Sequence, residues 1–124
     1  ITEFNPARGE IRFKWQDQLM GNVPQRMLHG GVTATALDTA GGLVAIAGMV
    51  DRLESPSEAY LMERLSRCGT IDLRVDYLRP GRGTEFIASA TIIRSGNKVA
   101  VARMELHNEE GTHIAFGTGT YLVG

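Results

Sequence analysis

Polar and apolar residues alternate from Glu10 to Trp15, with Ile11, Phe13 and Trp15 on one side, which predicts a half-buried strand. Gln16 to Leu28 carries Gly21, Asn22 and Pro24 and reads as a surface loop. The Gly30-Gly31 pair then opens a helix running to about Val50. Ala, Leu, Val, Ile and Met occupy every side of it, so it is expected to be covered nearly all round. Ser55-Pro56-Ser57-Glu58 marks a second, shorter helix, with Ser55 as cap, Pro56 in the first helical position and Glu58 completing a capping box. That helix is expected to stop near Cys68-Gly69.

From Thr70 the period changes to two. Ile71, Leu73, Val75 and Tyr77 alternate with Asp72, Arg74 and Asp76, predicting a strand that ends at Pro80-Gly81 and leaves Thr70 on the face opposite those apolar residues. Further strands are expected over Glu85–Arg94, Val99–His107 and His113–Leu122, separated by the turns Ser95-Gly96-Asn97-Lys98 and Asn108–Gly111. One strand, a long helix, a short helix and four strands make an α+β domain covering residues 1–124. The economical arrangement is a five-stranded antiparallel sheet wrapped around the long buried helix. Such a sheet leaves edges and apolar surface that favour a homodimer.

Composition narrows the function. Of 124 residues, 13 are basic and 14 acidic, so no nucleic-acid partner and no polybasic membrane surface is indicated. Cys68 is the single cysteine, and neither a C-x-x-C nor a Cys/His zinc spacing occurs, so no metal is expected. This usage fits a reducing cytoplasm. No signal-peptide pattern is visible at the start of the sequence. Met27 to Val50 is long enough for a membrane span, but five glycines, three threonines, His29 and Asp38 favour a core helix over membrane insertion.

Asp38 is the only fully charged residue in that run. An unpaired carboxylate in apolar surroundings is costly, and Asp38 lies about two turns past the helix start, too deep to cap. Buried there, it would have a raised pKa suited to proton abstraction near neutral pH. Gly30 and Gly31 are expected to present free backbone N–H groups at the helix N-terminus, where they would stabilise a developing oxyanion; a tight turn that needs glycine is the structural alternative. His29 is either a base in its own right or a residue that orders the turn. Cys68 reads as a small buried residue rather than a nucleophile.

The run LHGGVTATALD followed by Gly-Gly, with a later strand ending YLRPG, resembles the PaaI-like group of hot-dog fold acyl-CoA thioesterases. The resemblance covers nearly the whole chain. It implies a thioester hydrolase that uses neither cofactor nor metal and works as a homodimer or homotetramer on an acyl-CoA. Asp38 would act as general base or as nucleophile on a thioester bound across the dimer interface, with Gly31 N–H as oxyanion donor, His29 supporting the turn and Thr70 positioning the water. Relatives carry an Asn or Gln five or six residues before the HGG run. Here those positions are Pro24 and Val23, so the flanking Asn22 and Gln25 are the candidates for the carbonyl, with Gln25 favoured. For the CoA moiety the resemblance points to Arg79, Arg82, Arg94, Ser95, Gly96 and Lys98, while Gly30 is expected to bind substrate by letting the thioester carbonyl come close to the helix N-terminus. Met20, Met27, Met49 and Met62 are candidates for an acyl tunnel or for plain core packing. The alternatives are a hot-dog hydratase or dehydratase, whose D-x-N-P-x-H run is missing here, and a non-catalytic acyl-CoA binding module.

Overall fold

The computed structural model describes residues 1–124. In chain order it contains β1 (Glu3–Asn5), β2 (Arg8–Lys14), β3 (Met20–Asn22), β4 (Met27–Leu28), α1 (Gly30–Arg52), α2 (Glu58–Ser66), β5 (Gly69–Tyr77), β6 (Glu85–Ser95), β7 (Val99–Asn108) and β8 (His113–Leu122). One antiparallel sheet runs β1-β2-β6-β7-β8-β5, with α1 packed along its inner face. The five expected strands are all present. The short β1 arm adds a sixth by pairing with β2.

The core is the seam between α1 and the sheet. Leu37, Ala40 and Val44 on the helix are fully covered, facing Phe86 and Ala88 of β6 and Met104 and Leu106 of β7. Alanines at 88, 90, 100, 102 and 115 keep the sheet surface low, so the helix axis comes close. Gly9 makes the same allowance on β2, since a Cβ there would lie 2.7 Å from the Ala40 carbonyl oxygen. This seam explains the hydropathy of α1. The helix is long and apolar enough to cross a membrane, yet half of its most apolar window is buried inside this chain.

Four local expectations are corrected. The segment 16–28 is not one loop: Asp17–Leu19 forms a 3-10 turn, and β3 pairs with β4 in a small hairpin. The cap of α2 is Ser57, whose hydroxyl accepts from Tyr60 N–H at 3.1 Å; Ser55 stands at φ 42, outside the cap geometry, so no capping box with Glu58 forms. Helix α1 is covered on its sheet side only. Gly31, Thr35 and Thr39 are exposed and Asp38, Gly42, Leu43 and Ile46 are half-buried, leaving an open stripe.

The fourth correction bears on the site. Thr70 pairs with Tyr121 and Asp72 with Thr120, so Ile71 is an extra residue in the ladder between β5 and β8. This bulge breaks the period of two. Ile71 turns out to solvent, and Thr70 lies on the inner face with Leu73 and Val75 instead of opposite them.

Candidate active site

Helix α1 carries the candidate chemistry, and its first turn is fixed from three directions. The His29 backbone N–H donates to the Leu19 carbonyl at 2.8 Å, anchoring the turn to the preceding 3-10 segment. The Tyr77 hydroxyl, from the end of β5, donates to the Gly30 carbonyl at 2.7 Å. His29 caps the helix, its Nδ1 accepting from Gly31 N–H at 3.0 Å. The Gly31 donor expected to be free is thus occupied by the imidazole. Thr35 and Thr39 donate to the Gly31 and Thr35 carbonyls, each at 2.8 Å, which satisfies their hydroxyls one turn back along the helix.

Two turns further on, Asp38 is half-buried rather than enclosed. The Thr70 hydroxyl donates to its Oδ1 at 2.8 Å, which brings these two predicted residues together. Tyr121 of β8 lies beside them, its hydroxyl donating to the Asp38 backbone carbonyl at 3.2 Å. Burial, and then the neighbouring Asp38 carboxylate, push the Tyr121 phenol far above its ordinary range, so it remains a proton donor. Gly41 and Gly119 leave room for this ring, since a Cβ at either would overlap its hydroxyl. Tyr121 was not singled out in the sequence. Its signal is a tyrosine in the small-residue run Gly117-Thr118-Gly119-Thr120, where a buried phenol needs a partner.

The largest groove runs along the other flank of the open stripe and encloses about 670 Å³. Ile11 and Phe13 of β2, Leu19, and Val32 and Ala36 of α1 form its apolar wall. His29, Gly31, Thr35 and Thr39 lie along the same cleft, which Gln16 also lines. None of the four methionines proposed for a tunnel lines it. Met49 packs in the core and Met62 is exposed.

The remaining candidates fall into two groups. Gln25 sits in the turn between β3 and β4 and is bound to Arg82, which donates to its backbone carbonyl at 3.0 Å and to its side-chain oxygen. It does not line the groove. Arg79 donates to the His113 carbonyl at 2.9 Å, so both arginines are engaged near the N-terminal end of α1, where Glu109 and Glu110 share their pocket. Ser95 and Gly96 lie at the opposite end of α1, where Arg52 donates to the Gly96 carbonyl at 2.8 Å. Arg94 and Lys98 adjoin that turn, and neither is paired with a carboxylate. A 23-residue helix spans about 34 Å, so one chain does not bring these two groups together. Burial pushes the Cys68 thiol upward, and its Sγ donates to the Arg64 carbonyl at 3.4 Å, as suits an inert cysteine.

Comparison with known proteins agrees with this architecture. The thioesterase superfamily model matches residues 25–115. The medium/long-chain acyl-CoA thioesterase YigI of Escherichia coli is 58% identical over 124 residues, covering all of this chain and 80% of its own. A Shewanella oneidensis protein related to the thioesterase superfamily superposes with a TM-score of 0.95 at 54% identity, over 100% of this chain and 81% of its own. A Bacillus halodurans protein crystallised with CoA gives 0.70 at 31% identity, over 91% and 65%. With its HGG-initiated helix laid in a curled antiparallel sheet, the chain belongs to the thioesterase superfamily and has the hot-dog fold.

Proposed function

We propose that this chain hydrolyses acyl-CoA thioesters, with Asp38 as the base. The observation that carries the reading is the Thr70 hydroxyl 2.8 Å from the Asp38 carboxylate, on the open stripe of α1. Water held beside this pair, donating to the Thr70 oxygen and to the second Asp38 carboxylate oxygen, attacks the thioester carbon and gives its proton to the carboxylate. The tetrahedral oxyanion is held by backbone N–H. On its collapse the C–S bond breaks and the CoA sulfur leaves, taking the proton from Asp38.

Helix geometry argues that the two halves of this site come from two chains. Gly31 and Asp38 are seven residues apart, about 10 Å along the axis. Reacting groups must approach to about 3–3.5 Å. A symmetric dimer that covers the open stripe would set Asp38 of one chain opposite Gly31 of the other. The thioester carbonyl would then take the place of the His29 ring as acceptor for the Gly31 N–H.

The groove beside Gly31 suits an alkyl chain, because Ile11, Phe13, Leu19, Val32 and Ala36 supply its wall. Medium- and long-chain acyl groups are therefore the proposed substrates, as for the relative YigI, a medium/long-chain acyl-CoA thioesterase. Arg94 and Lys98, beside the Ser95-Gly96 turn, are the better partners for the CoA phosphates. Arg79 and Arg82 are already engaged and lie beside two glutamates.

The test is release of free CoA from a series of acyl-CoAs, followed with a thiol reagent. Asp38→Asn should lower kcat by roughly 10²–10⁴ while the fold persists. Turnover at near the unmodified rate in that variant removes Asp38 from the mechanism.

A further inference from the structure

On the sheet face turned away from α1, two histidines meet across adjacent strands. His107 of β7 is the register partner of His113 at the start of β8, with ring centroids 4.5 Å apart and planes inclined by 11°. Glu105, two residues before His107, points the same way, because Met104 and Leu106 are the residues buried against the helix. One ligand atom from each of the three lies within 4.8 Å of the others, and all three side chains are half-buried. The His113 Nε2 is itself buried and has no hydrogen-bond partner. A buried polar nitrogen without a partner is unfavourable and calls for an explanation.

We propose that Glu105, His107 and His113 form a binding site for a divalent transition ion, with zinc as the reference ligand. Two imidazole nitrogens and one carboxylate oxygen are a borderline donor set, suited to zinc, nickel or copper and poor for calcium or magnesium. Metal–nitrogen bonds of about 2.0–2.1 Å place donors about 3.3 Å apart around a tetrahedral ion, so small side-chain rotations close the observed gap. Three protein ligands leave a fourth position for water.

The neighbouring charges are compatible with occupancy. Arg103 reaches Glu105 only at 4.0 Å, stands over the Phe116 ring at 5.0 Å, and leaves the carboxylate able to turn to an ion. Arg8 is the other cation near His107, and it is already bound to Glu3 and Glu10. The site lies across the sheet from Asp38, so it is separate from the proposed hydrolytic centre. The sequence concealed it because the two histidines, spaced H-x5-H across the turn between β7 and β8, have no cysteine pair ahead of them to complete a zinc motif.

Calorimetric titration of the full, chelator-stripped chain with zinc chloride tests the site. One ion per chain is expected. His107→Ala and His113→Ala should each weaken binding at least tenfold, the double variant should abolish it, and Cys68→Ser should leave it unchanged. A second measurement needs no substitution. Sub-stoichiometric copper should broaden the imidazole NMR signals of His107 and His113 before that of His29. Absence of zinc binding, equal binding in the double variant, or preferential broadening of His29 overturns the proposal.

Discussion

Three hydroxyl-bearing or imidazole side chains hold the atoms that matter, and each does so through one hydrogen bond. Thr70 orients the Asp38 carboxylate, Tyr121 braces the backbone beneath it, and His29 occupies the Gly31 N–H. The two readings of His29 therefore part cleanly. As a cap that yields to substrate, His29→Ala should cost about 1 kcal/mol of stability and change kcat only a few-fold. As a base, the same change should lower kcat by roughly 10²-fold or more. Denaturant unfolding and initial rates on one preparation separate them, and the first outcome is expected. Asp38 was legible because a full charge inside an apolar helix requires a reason. Tyr121 was not, since nothing local in β8 shows that its ring reaches α1.

At the level of elements, the fit between α1 and β8 depends on absent side chains. A methyl group at Gly41 would overlap the Tyr121 hydroxyl and lie 3.1 Å from Met104 Sδ. Gly41→Ala should destabilise the protein by about 1–3 kcal/mol. Adding Tyr121→Phe should restore part of that loss, a non-additivity measurable as a double-mutant cycle. Periodicity in the sequence located α1 and every long strand to within a few residues. It failed at Ile71, where a single extra residue shifts Thr70 to the other face, because a bulge is a property of two paired strands and not of one. It failed again at the β3–β4 hairpin, whose turn residues look the same in a loop. The cap of α2 was misplaced by two residues because Ser55 and Ser57 carry the same chemistry, and only the backbone, with Ser55 at φ 42, tells them apart.

Across the whole molecule, the β1 arm is tied to the sheet by charge. Glu10 is buried on β2, and the Thr2 hydroxyl, followed by Arg8 and Arg12, holds its carboxyl below the ordinary 4.5 against the opposing effect of burial. The backbone N–H groups of Thr84 and Glu85 lower Glu109 in the same direction. A carboxylate whose pKa is depressed by folding stabilises the native state above its unfolded value, and that contribution is lost as pH falls through the folded value. Stability should therefore decline as the pH drops below about 4.5. Glu10→Gln should flatten that decline, as read from unfolding midpoints between about pH 6 and pH 3.

The two-turn separation of Gly31 and Asp38 along α1 also has a genetic consequence. If each chain of a dimer lends its carboxylate to one site and its helix N-terminus to the other, a lesion at a single one of these positions disables only one of the two sites in a mixed dimer. Asp38→Asn and Gly31→Leu chains, each inactive alone, should recover roughly a quarter of full activity when refolded together in equal amounts. A chain carrying both lesions should instead poison every dimer it enters. Co-expressed with the unmodified chain, it should behave as a dominant inhibitor, whereas either single variant should not.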